Sequence, residues 1–120
     1  MGVRYVYELP WPPSVNHYWR MVKGRMLISR EGRDYRTAVA RALGEAGAVR
    51  LEGRLEVQVD AWPPDRRRRD LDNLCKALLD ALEHGGAYRD DGQIDRLTVI
   101  RRPVVAGGAL RVSMEGKANP

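Results

Sequence analysis

The 120-residue chain predicts an α+β domain in which two main helices cover one face of a mixed β-sheet. Three observations support this. Strand-like alternation of apolar and polar residues opens and closes the chain, two stretches of helical periodicity lie between, and Pro and Gly clusters separate the segments. The length suits one domain over residues 1–120, without internal repeat or linker.

Val3, Tyr5, Tyr7 and Leu9 alternate with more polar neighbours, which predicts a strand halted by Pro10-Trp11-Pro12-Pro13. Runs over Tyr18 to Val22 and Arg25 to Ile28 flank Lys23-Gly24, a hairpin turn. Ser29 is placed to cap a helix whose apolar positions are Tyr35, Ala38, Val39, Ala42, Leu43 and Ala46, with Gly47 as its stop. Leu55, Val57 and Val59 alternate with Glu56, Gln58 and Asp60 in a strand running into Trp62-Pro63-Pro64.

A second helix is expected from about Asp70 to Gly85-Gly86. At about 100° per residue, Leu71, Leu74, Cys75, Leu78 and Leu82 share one arc, opposite Asp72, Asn73, Lys76, Asp80 and Glu83. This arc assigns Leu71 to the core. Strands are expected near Ile94 to Arg102 and over Leu110, Val112 and Met114, joined by a loop holding Pro103 and Gly107-Gly108. The tail after Glu115 is polar and expected to fray.

Composition narrows the function. Net charge is +5 and the sequence pI about 9.8, a basicity that favours nucleic acid or another polyanion. Of 21 basic residues only Lys23, Lys76 and Lys117 are lysine, and arginine's planar fork suits phosphate contacts, although genome composition also biases this choice. A single cysteine, Cys75, excludes an internal disulfide and suggests no zinc cluster. No stretch approaches the roughly 18 apolar residues of a membrane span, and the N-terminus does not read as a secretory signal. The expectation is a cytoplasmic protein.

One block stands out. DRRRRDLDN, Asp65 to Asn73, sets four arginines between carboxylates. Residues two apart point the same way in extended chain but about 200° apart in a helix. Asp70 and Asp72 can therefore share one ion only if Asp70 sits at the helix cap and Asp72 in the first turn, where the helix dipole favours carboxylates. The plainer reading is that Asp70 only caps and Asp72 only pairs with Lys76. Asp90-Asp91-Gly92 is by itself an ordinary turn. Together, however, these carboxylates are the oxygen ligands that Mg²⁺ requires, beside arginines suited to phosphate.

LPWPPSVN (Leu9 to Asn16), DRRRRDLDN with Lys76 downstream, and DDGQID (Asp90 to Asp95) resemble, in order and spacing, the RusA family of Holliday junction resolvases. The resemblance implies a homodimeric, Mg²⁺-dependent endonuclease that nicks four-way DNA junctions symmetrically in recombination and repair, working on the nucleoid and not on a small molecule. It implies Asp70, Asp72 and Asp91 as metal ligands and Lys76 as a catalytic lysine. Arg69 matches a residue placed for the scissile phosphate or the DNA backbone, with Arg66, Arg67 and Arg68 as further backbone contacts. Asp90 and Asn73 are supporting residues. The alternatives are a branched-DNA-binding module without activity, or a related metal-dependent nuclease with another nucleic acid substrate. His17, Trp11, Trp19 and Trp62 read first as packing or DNA-facing residues, and Cys75 as inert core.

Overall fold

The computed structural model describes residues 3–117. Its elements, in order, are β1 (Arg4–Leu9), α1 (Val15–Tyr18), β2 (Trp19–Val22), β3 (Arg25–Ile28), α2 (Arg30–Glu45), β4 (Leu55–Trp62), α3 (Leu71–His84), β5 (Ile94–Arg101) and β6 (Ala109–Gly116). A single 3-10 turn, Asp91–Gln93, leads into β5.

The four-stranded sheet runs β1-β6-β4-β5. β6 is antiparallel to both β1 and β4, while β4 and β5 are parallel and joined through α3, so the sheet is mixed as expected. Alternation decides which face is covered. Tyr7, Val112 and Val59 lie in register across the sheet, as do Leu9, Leu110 and Ala61, and all six are buried. The intervening row on the other face includes Glu8, Arg111 and Asp60. Val39 and Leu43 from α2, with Leu74, Leu78 and Leu82 from α3, complete the core. Each fully buried leucine contributes about 1.5–3 kcal/mol.

Local chemistry explains the boundaries. Lys23 and Gly24 both take positive φ, the geometry a two-residue hairpin turn requires. Ser29 caps α2, its Oγ accepting from Gly32 N at 2.9 Å. Gly32 has no room for a Cβ, which would fall 2.4 Å from the Tyr18 carbonyl oxygen, so α2 starts tight against the end of α1.

Four expectations change. Residues 15–18 form a helical turn, so the strand starts at Trp19 and not at Tyr18. Leu71 and Cys75 are only half-buried, because the buried stripe of α3 runs Leu74, Ala77, Leu78, Ala81 and Leu82, and the two alanines let α3 pack closely. Asp80 is not on an open polar face: it accepts from Arg36 Nε at 2.8 Å and from the Tyr18 hydroxyl, tying α3 to α2 and α1. The tail is held through Lys117, whose N–H donates to the Arg54 carbonyl and whose ammonium pairs with Asp95 at 3.1 Å. Residues 118–120 lie outside the described residues. No described helix is long and apolar enough to cross a membrane.

Candidate active site and nucleic-acid interface

The chain presents two acidic groups, one at each end of α3. Asp70 occupies the N-cap position in extended backbone, yet its carboxylate makes no capping bond. Asp72 follows in the first turn, exposed. Among the described residues neither carboxylate forms an ion pair, and neither does Lys76, one turn further along the same exposed face. The plainer roles, Asp70 as a cap and Asp72 as a partner of Lys76, are thus both unfilled.

At the other end, carboxylate oxygens of Glu83, Asp90 and Asp91 lie within 4.8 Å of one another. The turn that carries them is built by its own side chains. Asp90 accepts from Gly92 N at 2.8 Å, and Gln93 Oε1 accepts from the backbone N–H of Arg89 and Asp90. Gln93 Nε2 donates to the carbonyls of Leu51 and Gly53, fastening the turn to the chain before β4. Glu83 reaches from the last turn of α3 to accept from Asp91 N at 2.9 Å. Burial pushes the Asp91 carboxyl above its ordinary value, and the neighbouring charges of Glu83 and Asp90 push the same way. Crowded anions with oxygen donors suit a hard divalent cation. Glu83 and Gln93 carry roles here that the sequence did not single out. The available signal for Glu83 was the stripe Asp72, Lys76, Asp80, Glu83 on one side of α3.

One chain does not bring the two groups together. Asp72 and Glu83 are eleven residues apart on α3, about 16 Å along its axis. β5 gives the same result independently. It starts beside Asp91, and its last residue, Arg101, donates from Nη2 to the Arg69 carbonyl at 2.7 Å. Eight extended residues span about 25 Å. Asp70 and Asp72 therefore stand at one end of the β4-α3-β5 unit, with Asp90 and Asp91 at the other.

The arginine run divides as well. Arg66, Arg67 and Arg68 are exposed, and Arg67 approaches Asp65 only at 3.8 Å. Arg69 is half-buried, donates to Asp65 at 2.6 Å, and lies over the Trp11 ring, 5.9 Å from its centroid. The hydrogen bond from Arg69, then the Arg67 N–H, holds the Asp65 carboxyl down at about 2. Asn73 Oδ1 accepts from Val15 N at 3.1 Å, joining the proline-rich leader to the start of α3. Trp19 and Trp62 also carry arginine guanidinium groups, those of Arg36 and Arg111. His17 is exposed on α1. Cys75 is half-buried, and burial raises its thiol pKa, as expected of an inert side chain.

Comparison with known proteins covers nearly the whole chain. Residues 10–115 match the family described as Endodeoxyribonuclease RusA. The chain is 42% identical to the Crossover junction endodeoxyribonuclease RusA of Escherichia coli strain K12, across 96% of this chain and 97% of that protein. It is 43% identical to the corresponding protein of Enterobacteria phage 82 over the same extents, and 42% identical to that of Enterobacteria phage HK97 over 92% of each chain. With both acidic groups and the arginine run inside the matched region, this chain belongs to the RusA family of endodeoxyribonucleases.

Proposed function

We propose that this chain is a crossover junction endodeoxyribonuclease that works as a homodimer on four-way DNA junctions in the cytoplasm, with Mg²⁺ as its metal. The observation that carries the reading is the family match running through both acidic groups, to relatives named for this activity.

Asp70, Asp72 and Asp91 are the metal ligands of this reading, with Asp90 and Glu83 supporting Asp91. What favours a cation is that Asp70 and Asp72 have no ion-pair partner among the described residues, and that the Asp91 carboxyl is raised. A bound Mg²⁺ supplies Lewis acidity toward the phosphate and lowers the pKa of its water. Arg66, Arg67 and Arg68 project into solvent and are available to phosphates of the DNA backbone. Lys76, exposed and without a carboxylate partner among the described residues, is a cation available to the phosphate being cut. Arg69 shapes the loop through Asp65 and Trp11.

The distance between the two acidic groups gives the dimer a chemical purpose. A two-fold axis perpendicular to α3 sets the N-terminal end of one helix beside the C-terminal end of its copy, twice. Each site then takes Asp70 and Asp72 from one protomer and Asp91 from the other. Two such sites, related by the axis, match the two equivalent strands of a junction.

The direct test is incubation with a four-way junction, a linear duplex and a flap, each with and without Mg²⁺. Paired nicks on the junction alone, dependent on the metal, are expected. Binding without cleavage across metals and sequences would support the non-catalytic module, and cleavage of all three substrates a broader nuclease.

A further inference from the structure

Beside Asp70 a cleft of about 350 Å³ opens between the proline-rich leader and the start of α3. Trp11, Pro13 and Leu74 form its apolar part, and Arg68, Arg69 and Asp70 its charged rim. We propose that this cleft receives an unstacked nucleobase of the strand being cut, next to the scissile phosphate, and so sets the sequence at which the enzyme cuts. The inference rests on the proposed junction-cleaving activity and adds a specificity site to it.

The cleft is built in advance of any ligand. Trp11 is half-buried and held from behind: a Cβ on Gly108 would lie 2.9 Å from Trp11 Cβ and 3.1 Å from Pro64, so only glycine fits at that contact. The leader is fastened by the Tyr35 hydroxyl, which donates to the Pro10 carbonyl at 2.8 Å, and by the Val15–Asn73 bond. The opposite wall is fastened by Arg69 through Asp65 and by Arg101 through the Arg69 carbonyl. A preformed slot of an indole, prolines and a leucine, flanked by guanidinium groups, is what a flat aromatic base with a phosphate on each side needs.

Charge complementarity argues for nucleic acid as occupant. Arg66, Arg67 and Arg68 are exposed in the same run as the rim residues Arg69 and Asp70, and their guanidinium groups suit the phosphates on either side of a bound base. Asp70, on the rim, ties the slot to the cutting site, so the bound base is a near neighbour of the phosphate attacked. Asn73 adds direction. Its oxygen is taken by Val15 N–H, so the group it offers is Nδ2, a donor. A base seated there is preferred when it turns an acceptor edge toward Asn73.

The test places 2-aminopurine at the branch point of a junction and measures its fluorescence on binding without divalent cation. Cutting positions on a mobile junction are then mapped with Mg²⁺. Wild type and Trp11→Phe are expected to quench the probe on binding. Trp11→Leu is expected to bind without quenching, and its discrimination between the best and the other cutting positions should fall by about tenfold. Asn73→Asp keeps an acceptor for Val15 N–H but reverses the edge facing the base, so its cutting positions should move. If the bound wild type leaves the probe unquenched, or if Trp11→Leu and Asn73→Asp both cut where wild type does, the cleft does not hold a base. A change in dimerisation of Trp11→Leu without loss of quenching would likewise overturn the assignment in favour of a protein contact. Failure of the wild type to nick the junction would sink the proposed activity, whereas the metal-free quench reports on the cleft alone.

Discussion

The two ends of α3 solve opposite electrostatic problems. At its start, carboxylates stand among arginines: Asp65 is held ionised by Arg69, while Asp70 and Asp72 sit where the helix dipole favours negative charge. At its end, Glu83, Asp90 and Asp91 face one another without a cation among the described ion pairs, and the Asp91 carboxyl rises. The first end carries arginines suited to phosphate, while at the second Arg89 pairs with Glu52 and not with the acidic cluster. Neither is complete, and about 16 Å of helix keeps them apart within one chain.

The largest effects should come from removing the proposed ligands at either end. Asp72→Asn is expected to lower junction cleavage by 100-fold or more, about 3 kcal/mol or more of transition-state stabilisation, while leaving junction binding intact. Rate and gel-shift assays on one preparation check both halves, and normal cutting by this variant would remove Asp72 from the site. Glu83→Gln is expected to cost less, about 10-fold, because Glu83 orients the Asp91 backbone and is not counted among the ligands. It should also shrink the rise in melting temperature that Mg²⁺ produces.

Smaller effects distinguish the arginines. Arg67→Ala and Arg68→Ala should each weaken binding and reduce the slope of log affinity against log salt by about 1, the mark of one lost phosphate contact. Arg69→Ala should instead lower the melting temperature, since it removes the Asp65 pair and the cover on Trp11. An unchanged salt slope in both Arg67→Ala and Arg68→Ala would mean that the run faces away from DNA.

The smallest effects are in the pH dependence of stability without metal, and their signs oppose. Asp91 has a raised folded-state pKa, so its ionisation costs stability as pH climbs above the ordinary carboxylate range, and that cost persists at neutral pH. Asp65 has a lowered one, so its contribution is present above pH 4 and is lost as pH falls toward about 2. Asp91→Asn should flatten the first dependence and leave the second, as read by thermal melts across pH.

Much of this architecture was legible locally. Ser29 as a cap, Lys23-Gly24 as a turn and the alternation of β4 and β6 each follow from chemistry within a few residues. Asp70 at the start of α3 was legible for the same reason. Less legible were roles set by distant partners. Asp80 looked solvated until Arg36 and Tyr18 were brought to it from other helices. Glu83 gained its role only when the turn at Asp91 folded back on α3. Ala77 and Ala81 proved more central than Leu71, because closeness of approach, not size, governs where α3 packs. That Asp91 lies at the far end from Asp70 follows from the length of α3 itself, so this separation was legible too, and β5 running beside β4 agrees with it.

Mixed dimers test the central claim most directly. Asp72→Asn and Asp91→Asn protomers carrying different tags are allowed to exchange, and the doubly tagged species is isolated. If each site draws Asp70 and Asp72 from one protomer and Asp91 from the other, one site in the mixed dimer contains both substitutions and the other contains neither. The unpurified mixture then regains about a quarter of the wild-type sites, and the purified mixed dimer nicks one strand of a junction. A mixed dimer that binds junctions yet is as inactive as each parent would contradict the shared site.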